Sequence, residues 1–342
     1  LARETARAVV LHNYDISSQY TQQFCIMIAV FRELIRKWVE NSDDDHAKAE
    51  EFGKSFRERL ERVAEKLQAN EQQVDERLRR LIVLASASEV VELLNDQTVS
   101  SVQLLLVLVR EACELNREHN LLCDELFEVA LEQAKHCDQN EDDWEKELDY
   151  QSNRTQRVVS TTLLRRPHQC ERELSDEGKE VNHWVREDHN GVATEDGLFV
   201  SMIRQMGFIP FVRTNVPQNN MSFETSNNIY GRANNPWRKN RTPGGSSGGE
   251  GGLICGGGSL FGVGSDIGGS CRIPAAFCGL NTIMSQRFSK LGEVSYGQLN
   301  DGLLNVRVAY CPITRSVDDL VTFITSSTDK KTTTAFKTHA FW

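Results

Sequence analysis

Apolar positions three and four residues apart mark the first clear element: Phe52, Phe56, Leu60, Val63 and Leu67 recur between Ala47 and Leu81, and Val74, Leu78 and Leu81 resume after a gap. The spacing predicts an amphipathic helix or helix pair packed on its own domain or on a partner, with too few heptads for a dedicated coiled coil. Two shorter helices are predicted next, Ala87 to Asn95 and Ser100 to Asn116, with Ser100 or Ser101 capping the second and Leu104 to Val109 in the core. A further helix, about Cys123 to His136, is predicted to run into the acidic stretch Asp138 to Asp149, read as a solvated segment. Beyond it, Asp196 to Met206 reads as a helix with Leu198, Met202 and Ile203 inward, and Phe208 to Arg213 as a compact apolar strand. A long polar stretch with Pro217, Pro236 and Pro243 comes next. Helix, strand, loop and helix in turn predict an α/β domain.

Composition sharpens this picture. The chain has 342 residues, 39% hydrophobic and 26% charged, enough for one large domain or two smaller ones and far from the bias of disordered, collagen-like or disulfide-stapled chains. Residues 1 to 150 carry net charge −14 and residues 151 to 342 net +4, and 13 of the 23 glycines fall between Gly244 and Gly269. A helix-rich acidic half therefore precedes a glycine-punctuated one. Nine cysteines without a CxxC pair argue for reduced thiols in an intracellular compartment and against a structural zinc site. The longest apolar runs, Phe24 to Phe31 and Leu104 to Val109, fall short of the roughly 20 residues a spanning helix needs. Leu1 stands where a Met would open a chain, which suggests a truncated start. Leu1 to Asn13 lacks the apolar core of a signal peptide, and targeting stays open.

Two nucleotide-binding spellings fail. Gly53, Lys54 and Ser55 end like a phosphate loop, but Lys48 stands where its first glycine belongs, and the surroundings are helical. Gly262 and Gly264 begin a GxGxxG string that breaks at Ile267.

The densest chemical signal is Pro243 to Pro274, PGGSSGGEGGLICGGGSLFGVGSDIGGSCRIP, where glycines flank Ser246, Ser247 and Ser270. Glycine permits positive φ and close backbone approach, so successive N–H groups can converge on one point instead of pairing in a ladder. Such donors next to a serine, as in Asp266, Ile267, Gly268, Gly269 and Ser270, are what acyl transfer requires. A flexible linker is disfavoured by the interspersed Leu253, Ile254, Leu260, Phe261, Val263 and Ile267. The nucleophile elbow GxSxG is matched at Ser246 and again at Ser247, but the only downstream histidine is His339, in a polar tail, which disfavours a histidine triad.

GGSSGGEG followed by DIGGSxRxP resembles the amidase signature family, with Ser246 and Ser270 in register. TNVPQNNMSFETSNNIYGRANNPW (Thr214 to Trp237) is similar to its eukaryotic fatty acid amide hydrolase branch, and AAFCGL (Ala275 to Leu280), Ser285 to Gly292, Pro312 to Val321 and EVVELLNDQTVSSVQLL (Glu89 to Leu105) continue the likeness. It covers roughly Ser86 to Cys137 and Glu195 to Thr325.

The resemblance implies an amidase signature fold, a mixed sheet flanked by helices. Here it would be incomplete: an N-terminal helical region (1–81) precedes a partial domain (82–325, atypical over 138–194), and a polar tail (326–342) closes the chain. It further implies a nucleophile at Ser270, a bridging Ser246 preceded by a cis peptide, and N–H donors at Ile267, Gly268, Gly269 and Ser270. Ser247 becomes a supporting hydroxyl, Asp266 an acceptor of loop N–H groups, and Arg272 a residue that positions the loop. The family's lysine segment GxPxSxKE is absent between Asp138 and Thr194, where Lys179 with Glu180 is the one KE pair outside the acidic stretch. The implied function is a serine amidase acting on fatty acid amides through an acyl-enzyme, without metal, cofactor or nucleic acid, and with weak turnover or none. Peripheral membrane contact and a homodimer belong to the same expectation. The alternative is a non-catalytic helical interaction protein using Ala47 to Leu81 as its contact surface.

Overall fold

A computed structural model describes residues 42–68, 76–139, 159–164, 200, 203–204, 206–284 and 309–327. Two helices, α1 (Ser42–Gln68) and α2 (Glu76–Leu84), cover the described part of the predicted helix or helix pair. Phe56, Leu60 and Ala64 on α1 are buried, and the rings of Phe52 and Phe56 lie edge-on to Tyr230 at 6.3 and 5.5 Å. The described apolar stripe of α1 is thus used inside the chain, while Leu81 on α2 is 46% exposed. Gly53 proves structural: a side chain there would overlap the carbonyl of Ile229, so the phosphate-loop spelling marks a close approach of two backbones.

Helix α3 (Ala87–Asn95) matches its predicted bounds, and α4 (Ser101–His119) starts after Ser100 as expected. Ser86 with Glu89 and Ser100 with Gln103 form reciprocal capping boxes that satisfy the first donors of each helix. Distant carboxylates complete both ends. Asp319 accepts from the N–H groups of Ala87 (3.2 Å) and Ser88 (3.0 Å), and Asp138 from those of Ser101 (2.8 Å) and Val102 (3.1 Å). Leu104 to Val109 are all buried, as predicted.

The helix predicted from Cys123 is instead a short strand, β1 (Leu122–Glu125), followed by α5 (Phe127–Gln139). Asn120 adopts a left-handed conformation (φ 56°) that ends α4, and the Asn116 side chain takes the Leu122 N–H at 2.8 Å, so the chain turns before it can continue as helix. Strands β2 (Val159–Leu164), β3 (Ile209–Thr214), β6 (Phe261–Asp266), β7 (Asn281–Thr282) and β8 (Ala309–Thr314) complete a six-stranded sheet in the order β1-β3-β2-β6-β8-β7; β4 (Ser226–Asn227) and β5 (Gly231–Arg232) form a separate hairpin. The pairs β3–β2 and β2–β6 are parallel; β1–β3, β6–β8 and β8–β7 are antiparallel. This is the mixed sheet flanked by helices that the resemblance implies. Strand β2 lies inside the stretch 138–194 read as atypical. Its VSTTLL run suits a strand with neighbours on both sides.

Three further helices pack around this sheet: α6 (Gly248–Cys255), α7 (Arg272–Cys278) and α8 (Val317–Ser327). The core gathers where α8 meets the sheet, with Phe261 at 4.8 Å from Phe208 and 4.9 Å from Phe323 between ring centres. Of the predicted helix Asp196 to Met206, Ile203 is buried as expected, while Leu198 and Met202 lie outside the described residues. Lys179, most of the acidic stretch and the polar tail also lie outside them. No described helix is long and apolar enough to cross a membrane.

Candidate active site

The site is assembled from two loops, each ending in a helix: Pro243 to Ser247 leads into α6, and Ile267 to Cys271 leads into α7. Bare backbone makes this possible. Gly262 and Gly264 lie on one face of β6, where a side chain at Gly262 would overlap the Glu250 carboxylate and one at Gly264 would meet Ser247 Oγ at 2.7 Å. The GxG string that fails as a dinucleotide fingerprint therefore clears a sheet face for α6. On the helix itself, a side chain at Gly249 would lie 2.5 Å from the backbone N and O of Asn215, and one at Gly251 would lie 3.0 Å from Pro274. Buried Glu250 accepts from Thr214 Oγ1 at 2.8 Å and from the Val263 N–H at 3.0 Å, tying α6 to β3 and β6. Sequence reasoning assigned Glu250 no role, although a lone acid among four helical glycines was a visible signal.

The first loop carries a cis peptide between Gly245 and Ser246, as the resemblance implies. Thr225 Oγ1 donates to the Gly244 carbonyl at 2.9 Å, and a side chain at Gly245 would lie 2.5 Å from the Ser222 carbonyl, so the loop is clamped from the β4–β5 side. Ser246 is 1% exposed, and its Oγ has no hydrogen-bond partner among the described residues. A buried hydroxyl in that condition costs roughly 1–3 kcal/mol unless a further group reaches it.

The second loop is organised by Asp266, fully buried at the end of β6. Its carboxylate accepts from the N–H groups of Gly269 (2.7 Å), Cys271 (3.1 Å) and Arg272 (3.3 Å), and from Arg272 Nε (3.0 Å) and Nη2 (2.9 Å). Burial works to raise the Asp266 pKa, but the Arg272 guanidinium and these N–H groups outweigh it and hold the carboxyl below its usual range. Arg272 also has its pKa raised, chiefly by the bond to Asp266. Asp266 and Arg272 thus tie the loop to the end of β6. Gly269 departs from expectation, because its N–H is engaged within the loop; Gly268 and Ser270 direct their N–H groups to no described acceptor.

The loops meet directly. The Ser247 N–H donates to the Ser270 carbonyl at 3.0 Å, which sets the residue after Ser246 against Ser270 itself. Ser270 is half-buried, Gly268 open, and Ser247 fully buried with Oγ 3.6 Å from Cys271 Sγ. Burial pushes the Cys271 thiol well up, so it stays protonated and is no rival nucleophile to Ser270. Asp266, Cys271 and Cys311 lie close enough to suggest a metal site, with ligand atoms within 4.8 Å of one another. Every Asp266 oxygen is already occupied by N–H donors, so the trio offers no open carboxylate.

The family model described as Amidase matches residues 178–339. The vitamin D3 hydroxylase-associated protein of Gallus gallus is 47% identical over 38% of this chain and 28% of its own length, and fatty-acid amide hydrolase 1 of Sus scrofa 45% identical over 36% and 21%. The acetamidase of Emericella nidulans is 34% identical over 72% of this chain and 42% of its own. A solved structure of a fatty acid amide hydrolase superposes with TM-score 0.63 and 22% identity, covering 86% of this chain and 52% of that one, a likeness of fold. The chain spans less than half the length of these curated relatives.

Proposed function

Because the chain belongs to the amidase signature family, we propose that it is built for hydrolysis of a linear amide bond by a serine nucleophile at Ser270. In this reading Ser270 Oγ attacks the amide carbonyl, the negative charge on the oxygen is received by the N–H groups of Gly268 and Ser270 with Ile267 at the start of the same loop, and the C–N bond breaks to leave an acyl-enzyme and an amine. Water then releases the acid. Ser246 relays the nucleophile's proton towards a base, and the lone buried Oγ of Ser246 is the observation that carries the reading. A hydroxyl is kept unpartnered in the interior only where another group completes it, and a neutral lysine with a depressed pKa is the base this chemistry calls for. Lys179 remains the candidate from sequence. Fatty acid amides are the proposed substrates, from the 45% identity to a fatty-acid amide hydrolase, and contact with a membrane surface belongs to the same proposal.

The test is covalent labelling. A fluorophosphonate probe applied to the folded chain, followed by peptide mapping, is expected to mark Ser270. Folded protein that stays unlabelled at Ser270 over hours, while a control serine hydrolase labels in minutes, would overturn the proposal.

A further inference from the structure

Helices α6 and α7 end in cysteines, Cys255 and Cys278, which the amide chemistry does not use. The two helices cross closely because α6 carries no side chain at Gly251: a Cβ there would stand 3.0 Å from Pro274 and 3.5 Å from Cys278 Sγ. Cys255 lies one turn after Gly251 on the same face, and its sulfur and the Cys278 thiol are close enough for each to shift the other's pKa. Cys255 is half-buried at the outer end of the pair, whereas Cys278 is buried, with its thiol 3.5 Å from the Pro243 carbonyl and its sulfur 3.9 Å from Asn235 Nδ2. A half-buried sulfur backed by a buried one is the arrangement of a reactive cysteine with its resolving partner.

We propose that Cys255 and Cys278 form an oxidative modification site, at which a hydroperoxide converts the two thiols into a disulfide joining the C-terminal ends of α6 and α7. The Cys255 thiolate attacks one peroxide oxygen, the O–O bond breaks, and a sulfenic acid forms as hydroxide leaves and is protonated to water. The Cys278 thiol then attacks that sulfur, the S–O bond breaks, and a second water carries off the proton. Two thiols lose two electrons, and the peroxide gains them. The electrostatics suit this order: the neighbouring Cys278 thiol lowers the Cys255 pKa against the opposing effect of burial, and the Arg315 charge assists, while the Cys255 sulfur and burial raise that of Cys278. Oxidation has a local consequence, because Cys278 would lose the S–H that reaches the Pro243 carbonyl at the head of the cis-peptide loop. The proposal stands apart from amide hydrolysis, since it concerns sulfur chemistry alone.

The experiment treats the reduced 342-residue chain with stoichiometric hydrogen peroxide, blocks remaining thiols with N-ethylmaleimide in acid, and maps peptides without reduction. Cys255 and Cys271 share the tryptic peptide 242–272, so fragmentation of the linked pair assigns the bond. The expected result is a Cys255–Cys278 linkage at least tenfold more abundant than any other pair in native buffer. It should be reversed by dithiothreitol, be absent in Cys255→Ser, and give way to a statistical mixture when the reaction is run in guanidinium. A dominant Cys271–Cys311 bond, a sulfinic acid at Cys255 without linkage, unreacted thiols, or no selectivity in native buffer would each overturn the proposal.

Discussion

The Ser247 N–H and the Ser270 carbonyl, 3.0 Å apart, close the gap between two segments that lie more than twenty residues apart in sequence. Each segment runs on into its own helix, so the contact fixes two hydroxyl-bearing loops against each other before any substrate arrives. Preorganisation of this kind is what differential stabilisation of a developing oxyanion requires.

If the loops act as a relay, the two serines differ in kind. Ser270→Ala is expected to abolish fluorophosphonate labelling, because it deletes the attacking atom. Ser246→Ala is expected to leave the attacking atom but to slow labelling about 10²-fold or more relative to the unsubstituted chain, the scale of a lost general-base path. Time courses of probe incorporation, read by in-gel fluorescence on protein with unchanged circular dichroism, decide between these outcomes.

Asp266 should make the fold acid-sensitive. Its pKa is held below the ordinary carboxylate value in the folded state, so its stabilising contribution is complete above about pH 4 and is lost as pH falls through the lowered folded value. Urea titrations at a series of pH values should show this loss. Asp266→Asn should remove that part of the acid dependence and cost about 2–3 kcal/mol at pH 7, since three N–H groups and the Arg272 guanidinium would lose a charged acceptor.

A glycine of α6 and one of the second loop should answer differently to alanine. Gly249→Ala would drive a methyl to 2.5 Å from the Asn215 backbone and 2.6 Å from the Leu121 carbonyl, at a cost of about 3 kcal/mol or more. Gly268→Ala meets nothing within 4 Å and should change stability by less than about 0.5 kcal/mol. Urea midpoints of the two variants test the contrast.

Asp319 holds the start of α3 from more than two hundred residues away, through Ala87, Ser88 and the Ser88 hydroxyl. Asp319→Ala is expected to cost about 1–2 kcal/mol, and Asp319→Asn less, because the amide oxygen can still accept. Hydrogen exchange should locate the loss at the α3 amides of Ala87 and Ser88.

The helices were legible because their signals are local: apolar spacing on α1, and Ser86 and Ser100 each three residues before a residue that returns the hydrogen bond. The serine loops were legible because glycines beside hydroxyls mark a backbone that takes positive φ or approaches its neighbours closely, as at Gly244 and Gly269. Strand β1 was hidden by an apolar run, Leu121 to Cys123, that fits either period; Asn120, a left-handed turn residue, was the overlooked clue. Strand β2 was hidden because its only support is pairing with β3 and β6, which no short window of sequence contains. The engagement of the Gly269 N–H was illegible for a similar reason, since it depends on where the Asp266 side chain turns.

Helix α6 owes its seat to emptiness. With glycine at four of its first five positions, it can lie almost touching β6 and the α7 backbone, and only Glu250, Leu253 and Ile254 grip its surroundings. Its first five positions cannot be retuned by exchanging one packed side chain for another, because Glu250 is the only side chain there to trim. Variation in this region is therefore confined to the partners that lean on it, and a displaced neighbour would be felt at Ser246 as directly as an exchange within the loop itself.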